Sequence, residues 1–334
     1  MPAIDVSIVI PVYNSAAMLP ALHARLQTAL SALGKSYEII LVDDGSSDGS
    51  WTALKQLSGR DPDHVVAIQL MRNFGQHNAL MCGFRQARGR FIVTMDDDLQ
   101  HPPEEIGKLL EAIESQDLDL VYGAYDQKRH GSAKNFASRL VNVFYRLVFQ
   151  TTVTVTAFRI IRRELLETIL SYSLNFTYID GLLAWNTRRV GEVTVQHHPR
   201  AVGRSGYRFG KLLTLALNLF TNFSLLPLQF VSFCGVGAAL VGFVLGLFYF
   251  YQHLASGITV PGYASTIVSI LVLGGLQLLG LGIMGEYVGR LHLNVNRKPQ
   301  YSVRNILSAE SGDSSGESRD QHAQRHGEFC SQAA

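Results

Sequence analysis

Along the first half of the chain a short continuous apolar run, a cluster of turn formers and a stretch of apolar residues at helical spacing recur in that order. Val6–Ile10, Tyr37–Val42, Val65–Leu70, Phe91–Met95 and Leu118–Tyr122 predict buried strands. Ser15–Leu33, Asp48–Gly59, Gln76–Ala87 and Pro103–Ser115 predict the helices between them. Strands alternating with helices predict an α/β fold: a Rossmann-like, mostly parallel sheet with helices on both faces.

The second half changes character. From Leu212 to Gly289 there is no Lys, Arg or Asp, and Glu286 is the only carboxylate. Two apolar runs, Leu228–Tyr251 and Ala264–Met284, are each long enough to cross a hydrocarbon core of ~30 Å as a helix. Gln252–Gly262 separates them with Ser-Gly and Pro-Gly turn formers. Arg200, Arg204, Arg208 and Lys211 precede the pair, Arg290, Arg297, Lys298 and Arg304 follow it, and the connecting loop has no Lys or Arg. The positive-inside rule then puts both flanks in the cytoplasm. Ser132–Gln150 and Arg208–Leu226 carry apolar residues at helical spacing among Lys, Arg and Asn, which suits helices lying in the membrane interface or packed on the domain. After Asn305 the tail is rich in Ser, Gly, Gln and charge, and is expected to be disordered.

Composition narrows the function little. Net charge is +2, which gives no sign of a nucleic-acid partner. Cys82, Cys234 and Cys330 are far apart and odd in number, forming neither a disulfide framework nor a zinc pattern. Val6–Ile10 is too short, and lacks a basic lead-in, for a signal peptide.

The strand ends carry the chemistry. Pro11-Val12-Tyr13-Asn14, Asp43-Asp44-Gly45-Ser46, Arg72-Asn73-Phe74-Gly75 and Asp96-Asp97-Asp98 each follow a predicted strand, and ligands of open α/β sheets bind outside the carboxyl ends of strands. Clustered carboxylates repel one another, and a hard divalent cation bridging to a phosphate relieves that repulsion. In Asp43–Asp48 the Gly turn and a Ser47 or Asp48 helix cap explain part of the motif, but not two acids before the glycine. No G-x-G-x-x-G or G-x-x-x-x-G-K-[ST] loop is present, which argues against dinucleotide and P-loop binding.

These four motifs, with Leu99-Gln100-His101-Pro102-Pro103-Glu104 after the acids, resemble family-2 glycosyltransferases of the GT-A fold. More narrowly they are similar to the polyprenyl-phosphate glycosyltransferases: dolichol-phosphate mannose synthases and the bacterial GtrB and ArnC types. The latter two also carry two C-terminal membrane helices, and Gly285-Glu286-Tyr287-Val288-Gly289-Arg290 is similar to their closing motif; the likeness runs over residues 5–305. The resemblance implies a GT-A domain over 1–207, a juxtamembrane interfacial helix over 208–226, two transmembrane helices within 227–289, a cytoplasmic segment over 290–306 and a disordered tail over 307–334.

Carried over residue by residue, the resemblance implies a nucleotide-sugar pocket from Pro11, Tyr13, Asn14, Asp43, Asp44, Arg72, Asp96 and Asp97, with Asp44 the partner of the base and Asp97 the variable middle acid. Asp96, Asp98 and Gln100 would ligate Mg²⁺ or Mn²⁺. Arg129, Ser138, Arg200, Ser205, Tyr207 and Arg208 would meet the acceptor phosphate, with Asp98 and Arg200 as the catalytic pair. The implied activity is metal-dependent, inverting transfer of one sugar from a nucleotide diphospho-sugar, a UDP-sugar first, to undecaprenyl or another polyprenyl phosphate. The implied place is a bacterial inner membrane with both termini cytoplasmic; a homo-oligomer stays open. A catalytically weak membrane partner and a processive polysaccharide synthase are the rival readings, the second lacking its Gln-x-x-Arg-Trp stretch and further membrane helices.

Three departures from the family pattern stand out. Gly206 replaces a usual Lys, Tyr125 a usual Arg, and Thr151–Phe158 lacks the acid often proposed as general base. A lipid phosphate, with a second pKa of about 6, is mostly dianionic at neutral pH and needs no base to attack. Asp180 is an alternative base or a helix N-cap.

Overall fold

The computed structural model of the chain describes residues 4–124, 153–172, 177–196, 226–256, 262–295 and 299–308. The proposed interfacial helices at Ser132–Gln150 and Arg208–Leu226, and the tail after 308, lie outside them.

The strands are β1 (Val6–Val12), β2 (Tyr37–Asp43), β3 (Val65–Leu70), β4 (Phe91–Thr94), β5 (Leu120–Ala124), β6 (Arg159–Arg162), β7 (Val190–Thr194) and β8 (Val303–Leu307). The helices are α1 (Leu19–Ala32), α2 (Ser50–Arg60), α3 (Gln76–Gln86), α4 (Ile106–Ser115, after a 3₁₀ turn at Pro103–Glu105), α5 (Arg163–Leu170), α6 (Ile179–Asn186), α7 (Leu226–Ser256) and α8 (Tyr263–Val295). One eight-stranded sheet runs β7-β5-β6-β4-β1-β2-β3-β8. Its centre, β4-β1-β2-β3, is parallel throughout. The flanks are mixed: β6 runs antiparallel to β4 and β5, and β8 antiparallel to β3. Six of the eight strands therefore run the same way, as a mostly parallel sheet requires, and only β6 and β8 enter from the opposite end.

Both faces of the centre are buried, which is why its strands read as unbroken apolar runs. Ile8, Ile10 and Val12 pack with Leu22, Leu26, Leu54 and Leu109 on the α1/α2/α4 side. Val9, Ile40, Val42 and Ile92 pack with Leu80, Phe84, Leu166 and Leu182 on the α3/α5/α6 side. α3 lies so close on β1 that a Cβ at Gly83 would stand 2.3 Å from Val9 Cγ1. Burial of these side chains is the dominant favourable contribution to the domain.

α7 and α8 contain 31 and 33 residues, each about 45–50 Å long at 1.5 Å per residue. Among the described residues no helix is long and apolar enough to cross a membrane; several side chains inside both helices lie outside that description. The side chains that are described are unusual for water: Phe233, Phe243, Tyr251, Leu278 and Leu291 are 62–75 % exposed.

After α8 the chain returns to the sheet. Gln300 donates to Thr177 Oγ1 at 2.9 Å, the Met71 N–H donates to the Ser302 carbonyl at 2.9 Å, and β8 then pairs with β3. The sequence reading placed no element there.

Candidate active site

Parallel pairing brings the C-terminal ends of β1, β2, β3 and β4 to one edge, and the loops leaving them are tied in a closed ring. From β1 to β2, Asn14 holds a left-handed conformation (φ 53). Its N–H donates to Ser46 Oγ at 2.9 Å, and its Oδ1 accepts the Ser47 N–H at 2.9 Å. From β2 to β3, the Asp44 carboxylate accepts the Phe74 and Gly75 N–H groups at 2.7 and 2.9 Å. Gly45 makes that approach available: its φ is +69, and a Cβ would lie 2.5 Å from the Arg72 carbonyl carbon. From α3 to β4, Gln76 Nε2 donates to Asp96 Oδ1 at 2.7 Å. From β4 back to β1, Asp97 Oδ2 accepts the Tyr13 N–H at 3.3 Å and the Ser15 hydroxyl.

The expected nucleotide-site residues thus converge, in roles the sequence did not specify. Pro11 is half-buried near the end of β1, Val12 after it is fully buried, and Tyr13 is 52 % exposed. Asp43 is fully buried; its Oδ1 accepts the Ser46 N–H at 3.0 Å, and its Oδ2 has no partner among the described residues. Of the two acids on β2, Asp43 therefore has the uncommitted oxygen, while each Asp44 oxygen already accepts a backbone bond. Arg72 lays its guanidinium 4.7 Å from the Phe74 ring centroid. Asp48 does not cap α2, whose N-cap is Gly49; its carboxylate accepts the Ser50 N–H and the Ala16 N–H instead.

The acid triplet fans out. Asp96 meets Gln76, Asp97 turns to the β1 loop, and Asp98 Oδ1 accepts the Gln100 N–H at 3.1 Å across Leu99 (φ 58). Burial, then the charges of Asp98 and Asp97, push the Asp96 carboxyl up to about 6. Burial also raises Asp44 and Asp97. Among the described residues no three His, Cys, Asp or Glu side chains are grouped to hold a metal. With Asp97 turned away, Asp96 and Asp98 offer two carboxylates. That fits Mg²⁺ or Mn²⁺ completed by substrate phosphate oxygens better than a cage made by protein alone.

Beneath the edge lies a network the sequence did not reveal. Arg159, 2 % exposed, pairs with Asp180, which also accepts the Tyr122 hydroxyl at 3.0 Å. Its charge draws the Asp96 carboxyl down, opposing burial. His77 sits against Tyr178, and burial lowers it to about 4, so it is neutral at pH 7. Asp180 is not a helix cap: it is the second residue of α6, whose N-cap is Tyr178. The sequence offered Asp180 on its own, and nothing in it joined that acid to Arg159, 21 positions away.

The acid-free stretch is held by other means. Thr156 donates to the Gly123 and Phe158 carbonyls, Thr94 donates to the Ala157 carbonyl, and the Thr154 N–H donates to Glu192 at 2.9 Å. The chain leaves toward the basic segment at Gln196, whose N–H donates to Glu105 at 3.3 Å, just after the acid loop. Arg129, Ser138, Arg200, Ser205, Tyr207 and Arg208 lie outside the described residues.

Residues 7–170 match the family described as Glycosyl transferase family 2. A protein of Pseudomonas paraeruginosa named undecaprenyl-phosphate 4-deoxy-4-formamido-L-arabinose transferase is 38% identical over 312 residues, covering 91% of this chain and 91% of its own. A protein of the same name from Klebsiella pneumoniae is 38% identical over 317 residues, covering 92% and 94%. Among solved structures, glucosyl-3-phosphoglycerate synthase of Mycobacterium tuberculosis aligns with 65% of this chain and 78% of its own, at a TM-score of 0.47 and 15% identity.

Proposed function

The chain belongs to glycosyltransferase family 2 and is an enzyme of that class, and from this premise we propose that it moves one sugar from a nucleotide diphospho-sugar to undecaprenyl phosphate. The observation that carries the reading is the ring of four loops at the parallel edge, which brings Asp96 and the loops of Tyr13, Asn14 and Asp44 together. The relatives' name supports a donor sugar of the 4-deoxy-4-formamido-L-arabinose class.

In this reading the β1 and β2 loops hold base and ribose, and Asp96 and Asp98 face the diphosphate. Asp96 and Asp98 with Gln100 would hold a divalent cation, Mg²⁺ or Mn²⁺, which would supply neutralisation for the departing diphosphate. An acceptor phosphate oxygen forms the bond to the anomeric carbon as the bond from that carbon to the diphosphate breaks, with inversion. Arg200 and Arg208, with Ser205 and Tyr207, clamp the two anions, since guanidinium groups bind phosphate oxygens in pairs. Arg129 and Ser138 complete the acceptor side. We read Asp180 as the partner of Arg159 and Tyr122, both of which meet its Oδ1, rather than as the base.

We place α7 and α8 across a bilayer. Helices of a water-soluble domain hide one face, whereas both of these expose large apolar side chains along their length. β8 supports the same topology independently of flanking charge: the chain after α8 pairs with β3 and accepts the Met71 N–H, on the sheet of the catalytic domain, which favours a hairpin with both ends on one side. It rejoins beside the C-terminal edge, which turns the site toward the lipid headgroups, where an acceptor phosphate waits. The charge flanks make that side cytoplasmic.

The test is transfer by the detergent-purified full chain with Mn²⁺ or Mg²⁺, undecaprenyl phosphate and a panel of radiolabelled UDP-sugars that includes the 4-formamido-arabinose donor. A solvent-extractable lipid product is expected with wild type. Asp98→Asn is expected to abolish it while leaving the protein folded, because a neutral amide is a far poorer ligand for a hard cation. No product with any donor overturns the reading; full turnover in excess EDTA overturns the metal assignment.

A further inference from the structure

We propose that Asp97, the middle acid of the triplet, is a positioning residue that clamps the β1 loop to the acid loop and so closes the nucleotide pocket, rather than a ligand of the cation. The case is geometric. Asp97 Oδ2 accepts the Tyr13 N–H at 3.3 Å, and its carboxylate also accepts the Ser15 hydroxyl. Tyr13 and Asn14 leave β1 in a bent path, with Asn14 at φ 53, and such a conformation persists only where surrounding bonds hold it. On the β2 side those bonds come from Ser46, Ser47, Asp48 and Ser50. On the β4 side the Asp97 carboxylate supplies one, to the Tyr13 N–H.

The neighbouring acids point elsewhere, one to Gln76 and one to the Gln100 N–H, so the triplet divides its work. Asp96 and Asp98 stay at the edge, and Asp97 reaches across from β4 to β1, adjacent parallel strands. Without Asp97 the ring of loops opens at one joint, beside the exposed Tyr13 ring that we assign to the base. The loss should fall on donor binding and leave the chemical step largely intact, because the acids facing the diphosphate do not move.

The clamp's effect on donor binding rests on the proposed function, whereas the clamp itself does not, so two readouts are paired. Hydrogen exchange of the peptide spanning residues 12–18, measured on the full chain in detergent, is expected to speed up about tenfold or more in Asp97→Ala. It should change little in Asp97→Asn, whose amide oxygen still accepts from Tyr13 and Ser15. In turnover assays, Asp97→Ala is expected to raise the donor KM about tenfold with kcat within about threefold of wild type. Asp97→Asn should recover most of that affinity. Ser15→Ala should reproduce part of the loss, and the double variant Ser15→Ala/Asp97→Ala should lose no more than Asp97→Ala, since both remove one contact. Mn²⁺ affinity, titrated by electron paramagnetic resonance with UDP present, should stay within about threefold in all four.

A tenfold loss of Mn²⁺ affinity in Asp97→Asn would make Asp97 a cation ligand and overturn the proposal. Unchanged exchange at residues 12–18 in Asp97→Ala would overturn it as well, with or without a bound donor. If wild type binds no UDP-sugar while the exchange result holds, the functional reading fails and the clamp stands.

Discussion

Replacing Arg159 by Met should cost the catalytic domain about 3–5 kcal/mol, the usual penalty for removing one partner of a buried ion pair. Arg159 is 2 % exposed on β6, in register with Thr94 on one side and Tyr122 on the other. Its guanidinium neutralises Asp180, 7 % exposed, which also holds the Tyr122 hydroxyl. Met fills similar volume and supplies no charge, so the variant leaves an ionised carboxylate in a dry site. For a domain of this size about 2–4 °C of melting temperature accompany each kcal/mol, which predicts a fall of roughly 6–20 °C. The double variant Arg159→Met/Asp180→Asn removes both charges while Asn still accepts from Tyr122. Replacing a buried pair by neutral groups is often close to neutral, so the double variant should regain most of the loss. The assay is thermal melting of the detergent-solubilised full chain, followed by circular dichroism and intrinsic fluorescence. A single variant melting within about 2 °C of wild type, or a double variant no better than the single, would refute the electrostatic account.

Two further outcomes follow from the same structure. Asp96 has its folded pKa raised from the model-peptide value of 3.8 to about 6, so the folded state holds the proton more tightly than the unfolded state. Its contribution to stability is therefore fully present below pH 4 and is lost as pH rises through about 6. In EDTA, Asp96→Asn should melt higher than wild type at pH 7.5, by about 1–2 kcal/mol once the roughly 3 kcal/mol ceiling of a two-unit shift is discounted for solvent at the loop, and the gap should vanish near pH 4; equal melting at both pH values would remove the like-charge argument. A reporter fused after Ser308 should behave as cytoplasmic and one inserted near Gly257 as external, and the same side for both would mean that α7 and α8 do not cross the bilayer.

The central strands were legible because both faces of β4-β1-β2-β3 are buried, which leaves runs such as Val6–Ile10 without a polar break. β6, β7 and β8 were not. Arg-Ile-Ile-Arg carries a charge at each end, and the burial of its first arginine is accounted for only by Asp180, far away in sequence. Val190–Thr194 contains Gly and Glu on an edge strand, and Val303–Leu307 is half exposed with Arg and Asn inside it. In each case a tertiary partner overrode local propensity. Two of the three, β6 and β8, are the antiparallel strands, so the expected mostly parallel sheet stands with a reversed strand added on each side.

For the site, residue types were legible and directions were not. Four motifs at four strand ends identify an anion-handling edge because parallel topology forces their convergence. Nothing in the spacing says that Asp44 binds the backbone of the next loop while Asp43 keeps an oxygen uncommitted, or that three consecutive acids point to three different loops. β4 ends at Thr94, and Asp97 and Asp98 already lie in the turn that leads to Leu99 at φ 58, so the three carboxylates leave the backbone in different directions. The middle acid meets the β1 loop at the Tyr13 N–H, while its neighbours meet Gln76 and the Gln100 N–H. The same reasoning separates charge from function elsewhere in the chain: Arg159 is deeply buried yet serves Asp180, and Asp180 is acidic yet occupied. A carboxylate acts on substrate only where the fold leaves it an uncommitted oxygen at the edge.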